Sequence, residues 1–235
     1  MFQNRTFNVY FTNDMKFRKK QVGGFRPICT GSPAIGVVGG FNLNKEKVNY
    51  PVGVIIPSAS LAEYDETSSR QVVVLKASRV VAIDATDAKK VSLQNDEFLS
   101  PIFMVGDHVA MNDSGNFEDT VSITKIINDR NGFVVVLDKA IAGLKVGDAL
   151  FEVIEGTAEG EGKAPAVFPI EHPQGITVGA EPMGTYIGLD EVSVDVAINS
   201  KGEMYYKRRI PPIPEKFIQG MCLKDNPNIQ FTDSY

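Results

Sequence analysis

Apolar positions in this chain fall in short runs broken by Gly, Pro, Asn or Asp, and no long stretch keeps a 3.6-residue period. The runs are rich in Val and Ile, as strands are. VGVIIP (52–57), RQVVVLKA (70–77) and RVVAID (79–84) form a first group. IFMVGDHVAM (102–111), SITKII (122–127), GFVVVLD (132–138) and ALFEVI (149–154) form a second. SVDVAIN (193–199) and EMYYKRRI (203–210) lie in the last third. NDRNG (128–132) and NSKG (199–202) put Asn or Gly where a hairpin turn needs a positive φ. The pattern predicts a mainly β protein.

Two stretches share the order apolar, Gly, Asp, any residue, apolar: MVGDHVAM (104–111) and KVGDALFEV (145–153). Each places a Gly-Asp pair, Gly106-Asp107 or Gly147-Asp148, ahead of a strand. Gly supplies backbone freedom for a tight corner and the Asp carboxylate bonds the turn amides. Two such corners predict closure of a small barrel within residues 51–156. EGTAEGEGKAPA (155–166) has no apolar pattern and reads as a linker. The expected organisation is an extended arm at 1–50, a small β-barrel or sandwich at 51–156, a linker at 157–166 and a smaller β-rich domain at 167–235. The last contains MYYKRRIPPIPEKFIQG (204–220). As a strand it would place Tyr205, Lys207 and Arg209 on one face and Tyr206, Arg208 and Ile210 on the other. Pro211, Pro212 and Pro214 would then end the strand, and PEKFIQGM (214–221) would form a short helix.

The chain has 235 residues, 43% apolar and 23% charged, ordinary values for a globular protein with a sizeable core. No run approaches the ~20 apolar residues of a membrane helix, and the N-terminus has no apolar core of a signal peptide. Function in the cytosol, or in something assembled there, and no membrane partner are the expectations. Charge sharpens the picture. Residues 1–50 hold eight Lys/Arg against two Asp/Glu, whereas 51–156 hold nine against sixteen and 157–235 seven against eleven. A basic arm on an acidic body disfavours nucleic acid as partner, since phosphate binding needs a broad basic face. It favours an acidic protein surface opposite the arm. The candidate partner-binding residues are Lys16, Arg18, Lys19, Lys20 and Arg26.

No catalytic constellation is legible, and the expectation is a protein that is not an enzyme and uses no cofactor or metal. Cys29 and Cys222 have no metal spacing and make no disulfide framework. The two histidines, His108 and His172, lack ligand-type neighbours at metal spacing. VVGGFNLNK (37–45) lacks phosphate-loop spacing, NDSGNFED (112–119) lacks the ligand order of a calcium loop, and no Gly-x-Ser-x-Gly elbow occurs. The alternative to a structural protein is a carbohydrate-binding or hydrolase module on a β-barrel, with His108 beside Asp107 or Asp113. The absence of Trp counts against it.

Three stretches carry a resemblance. YPVGVIIPSASLAEYDETSSRQVVVLKASRVV (50–81), VGDALFEVIEG (146–156) and YYKRRIPPIPEKFIQGM (205–221) followed by IQFTDSY (229–235) resemble segments of head-fibre and auxiliary capsid proteins of tailed gut bacteriophages, including the crAss-like group. The resemblance implies a virion structural protein that decorates or stabilises the outer surface of the capsid. Its implied partners are the major capsid protein and neighbouring capsid-associated subunits. A closed homo-oligomer, a trimer in particular, would suit the local threefold sites of such a shell.

Overall fold

The computed structural model describes residues 27–29, 35–37, 39–96, 99–129, 132–158, 162–178, 185–186, 193–199 and 204–233. The protein is mainly β, as its apolar pattern predicts. The first strands are β1 (Ile35–Gly36), β2 (Phe41–Leu43), β3 (Ile55–Ile56), β4 (Leu61–Tyr64) and β5 (Gln71–Val74). Next come β6 (Ala77–Ile83), β7 (Lys90–Leu93), β8 (His108–Ala110), β9 (Val121–Asp129), β10 (Gly132–Leu137) and β11 (Ala149–Glu155). Then follow β12 (Ala166–Val167), β13 (Gly175–Val178), β14 (Thr185–Tyr186) and β15 (Ser193–Asn199). The last four are β16 (Met204–Tyr206), β17 (Ile218–Gln219), β18 (Cys222–Leu223) and β19 (Gln230–Thr232).

Two rings of strands close. In the first, β2 pairs with β5, β5 with β4, β4 with β13, β13 with β15, and β15 returns to β2, making a five-strand barrel. In the second, β6, β7, β10, β9, β8 and β11 pair in that order and β11 returns to β6, making a six-strand barrel. Closure gives every strand of each ring a partner on both sides over part of its length. The six-strand barrel is inserted into the five-strand one, between β5 and β13. Alternation builds its core: in β10, Phe133, Val135 and Leu137 are buried while Gly132, Val134 and Val136 are half-buried. These meet Val80, Val91, Leu93, Val109, Ile123 and Leu150 from the other strands.

Both Gly-Asp corners adopt the expected geometry. Gly106 and Gly147 have φ of +96° and +98°, a region costly for any residue with a Cβ. The Gly106 amide donates to Ile123 O and the Gly147 amide to Val80 O, both at 2.8 Å. The Asp107 carboxylate accepts from the Met104 amide at 2.7 Å and the Asp148 carboxylate from the Lys145 amide at 2.8 Å. The strands they feed, β8 and β11, pair antiparallel, so the corners lie at opposite ends of one barrel.

Close approach in the five-strand barrel depends on Gly175 of β13. A Cβ there would overlap Val196 Cγ1 of β15 and stand 3.0 Å from Ala197 O. Gly175→Ala is therefore expected to cost about 1–3 kcal/mol by overpacking. Urea unfolding would measure it, and an unchanged midpoint would show that β13 and β15 can separate freely at this point.

Several pairings run across the boundaries expected at 50 and 156. β2 is a barrel strand rather than part of an extended arm, and it pairs with β15 from beyond residue 157. The end of the expected linker is tied down. Phe117 donates its amide to Ala164 O at 2.8 Å, Ala166 to Gly115 O at 2.9 Å and Gly156 to Pro165 O at 2.8 Å. The basic triplet also departs from expectation. β16 ends at Tyr206, and Lys207, Arg208 and Arg209 lie in a turn closed by Arg209 N–H to Tyr206 O at 2.8 Å. Arg79 of β6 holds that turn through the carbonyls of Lys207 at 2.5 Å and Ile210 at 2.8 Å. Those bonds outweigh the extended preference of the run. The expected terminal helix is only one 3-10 turn, Glu215–Phe217, after which β17 and β18 form a hairpin. Among the described residues no helix is long and apolar enough to cross a membrane.

Candidate functional site

The described residues that follow the basic N-terminal stretch are held in a defined place. The Ile28 carbonyl accepts the Tyr206 amide at 2.9 Å, and Cys29 bridges Tyr205 antiparallel. Arg209 Nη1 donates to Pro27 O at 2.9 Å while its guanidinium lies 4.6 Å from the Tyr206 ring centroid. A planar cation with a fixed fork of donors suits this double task. The β16 turn thus clamps residues 27–29 against the C-terminal sheet. The five candidate residues, Lys16, Arg18, Lys19, Lys20 and Arg26, lie outside the described residues.

The proline-rich segment after the clamp forms one wall of a groove of about 410 Å³. Ile213 and Pro214 line it together with Met111, Ala149, Phe151 and Phe168, and Asn112, Asp113, Asp148, Glu215 and Lys216 supply its polar groups. Phe151 and Phe168 meet edge to face with centroids 5.5 Å apart. Lys216 shows what this chemistry holds. Its ammonium lies 4.5 Å from the Phe168 centroid and 4.6 Å from that of Phe217, and it pairs with the Asp113 carboxylate. An aromatic face beside a carboxylate is a seat for a cation.

A third cluster joins the two barrels. Lys76, in the connector from β5 to β6, is fully buried, and its ammonium lies 2.6 Å from Asp107 Oδ2 and 2.9 Å from Glu152 Oε1. Strand alternation places Glu152 on the Leu150 side of β11, the core side of the six-strand barrel. The Glu152 amide donates to Lys76 O at 3.0 Å, so the outgoing and returning chains are tied by backbone as well. Tyr50 lies beneath, its ring centroid 5.8 Å from the ammonium. Its hydroxyl donates to Val74 O at 2.9 Å and accepts from Val74 N–H at 2.8 Å. Burial pushes the Tyr50 phenol up, and the nearby Glu152 and Asp107 carboxylates push the same way. Burial also raises Glu152 to about 7, against the pull of the Lys76 ammonium and with a further push from Asp107.

These contacts separate the residues of the hydrolase alternative. His108 Nδ1 is 2.8 Å from Thr120 Oγ1, whose hydroxyl donates to Phe117 O at 2.6 Å. The ring nitrogen is thereby the donor, and the imidazole packs on Phe117 with centroids 4.4 Å apart. The Asp107 carboxylate is turned to Lys76 and that of Asp113 to Lys216. The histidine is therefore not joined to either acid. His172 is exposed, with Nδ1 3.5 Å from Asp225 Oδ2. Cys29 and Cys222 are not joined by a disulfide, and among the described residues no group of three or more His, Cys, Asp or Glu is placed to hold a metal ion. Sequence reasoning missed the Lys76 cluster, although a lone Lys ending the run VVVL was a visible signal. No family model matches the chain, nor does any curated protein or solved structure.

Proposed function

We propose that this protein is a structural component of a phage particle that binds the outer surface of the capsid, acting by attachment rather than catalysis. The observation that carries the reading is the clamp on residues 27–29. It fixes the described residues that directly follow a stretch with six Lys/Arg and one Asp at 1–26, in a chain whose remainder is acidic. A basic tether on a rigid base gains avidity by reaching more than one acidic surface, so no single contact need be strong. The major capsid protein supplies one such surface in this reading. The groove of a neighbouring copy supplies another in this reading, since Asp113, Asp148 and Glu215 line it together with Phe151 and Phe168. The resemblance of residues 50–81, 146–156, 205–221 and 229–235 to head-fibre and auxiliary capsid proteins supports the same assignment.

The test is charge reversal of the tether. With Lys16, Arg18, Lys19 and Lys20 all changed to Glu, co-sedimentation with purified particles is expected to fall at least about tenfold, while the thermal unfolding midpoint stays within about 2 °C. Attachment at the wild-type level would overturn the role given to the tether. Absence of the wild-type protein from the shell would overturn the assignment itself.

A further inference from the structure

The cluster between the barrels holds two carboxylates against one ammonium, all with side chains 9% exposed or less. The two acids are not equivalent. Asp107 Oδ2 accepts from both Lys76 and the Met104 amide, and both donors favour its anion. Glu152 has Lys76 on Oε1, whereas its buried Oε2 has no hydrogen-bond partner. An anionic oxygen left without a donor in a buried site costs far more than an unpaired neutral hydroxyl. The groups facing Glu152 are few. Lys76 comes from the β5–β6 connector, Asp107 from the corner before β8 and Tyr50 from the loop before β3, while its cross-strand neighbour on β8 is the apolar Val109. Tyr50 spends its hydroxyl hydrogen on Val74 O, so it is not the missing donor.

We propose that Glu152 is carried in the folded protein as the neutral acid, and that loss of its proton loosens the joint between the two barrels. With the proton on, Lys76 and Asp107 balance and the cluster is neutral. With it off, one unbalanced negative charge sits where the outgoing and returning chains cross, beside the Glu152 N–H to Lys76 O bond that ties them. The joint is therefore tight in mildly acidic solution and looser in mildly alkaline solution. The sign follows from linkage. The folded form binds a proton that the unfolded chain releases near 4.5, so this stability is full below that pH and is lost as pH rises through about 7. Carboxylates lowered on the surface, Asp65 and Asp84, act in the opposite sense and only in more acidic solution. This inference does not depend on the identity of the partner.

The test uses the full chain. Infrared spectra of wild type are expected to show a protonated-carboxyl C=O stretch at pH 6 that fades by pH 8.5 and is missing from Glu152→Gln. Urea unfolding is expected to show the wild-type folding constant falling by up to about 300-fold, relative to Glu152→Gln, between pH 4.5 and 8. Amides around residues 76 and 152 should exchange faster at pH 8 than intrinsic rates predict, and only in wild type. Asp107→Asn removes the competing anion, and it should shift the fading of the stretch to lower pH even if the glutamine variant folds poorly. A wild-type spectrum without the stretch at pH 6, parallel stability curves for the two proteins, or fading unmoved by Asp107→Asn would each overturn the proposal.

Discussion

Lys76→Met is expected to destabilise the protein by about 3–5 kcal/mol, one of the two largest losses open to a single substitution here. Methionine keeps most of the side-chain volume and removes only the charge. The loss therefore reports electrostatics rather than a cavity. Without the ammonium, Asp107 and Glu152 face each other in a site where Lys76 is fully buried and neither acid has much access to water. Breaking a buried pair from one side leaves an uncompensated charge, which costs more than the intact pair contributes. The cost is expected to shrink when both acids are also neutralised. A triple variant, Lys76→Met with Asp107→Asn and Glu152→Gln, should recover at least half of it. Urea unfolding of the single and triple variants decides the matter. A single variant within about 0.5 kcal/mol of wild type would show that the acids are rehydrated at no cost and that the cluster does not join the barrels.

Phe168→Ala is expected to lose a similar amount, about 3–5 kcal/mol, for a different reason. The ring is 2% exposed and packs between Phe151 of β11 and Phe217 of the 3-10 turn, with centroids 5.5 Å and 5.9 Å away. Truncation leaves a cavity between a barrel wall at Phe151 and a C-terminal wall at Phe217, which cannot both collapse into it. It also removes a face beneath the Lys216 ammonium. Hydrogen exchange over residues 213–217 should therefore accelerate beyond the change in global stability. Phe168→Leu, which keeps most of the apolar bulk, should cost less than half as much. A loss below about 1 kcal/mol for the alanine variant would mean that the C-terminal sheet packs on the barrels without this ring.

The strands were legible where one side of the chain meets water and the other a core. GFVVVL reads directly as β10, and the two Gly-Asp corners were visible because a positive φ and a turn-capping carboxylate need those residue types in that order. What joins distant strands was not. Nothing local in FNL (41–43) says that it will lie beside both Gln71–Val72 and Ser193–Val194. Barrel closure is a matter of register between remote segments. The same limit hid the turn at Lys207 to Arg209. Its hold comes from Arg79, which alternation could place on a strand face but could not aim at carbonyls in the last third of the chain. The clamp at Pro27 was hidden for the same reason. The Lys76 cluster was half visible, since a charge at the end of a buried run demands a partner, but neither Asp107 nor Glu152 could be named from spacing.

The insertion of one barrel into the sequence of the other has a consequence for the order of events during synthesis. Val74 and Gly175 flank the insertion in sequence, so β13 and β15 cannot complete the five-strand ring until the whole six-strand ring has been made. The chain leaves and returns at one place, where Ala77 pairs with Phe151. Once the six-strand ring forms, a loop on the order of 100 residues therefore behaves as a short one, and much of the entropic cost of closing the five-strand ring has already been met. Synthesis from the N-terminus thus leads to a preferred sequence in which the six-strand ring folds first and the five-strand ring closes after it. Substitutions in the six-strand core, such as Val135 or Leu150, should then slow the appearance of both barrels, whereas those in β15 should slow only the five-strand one.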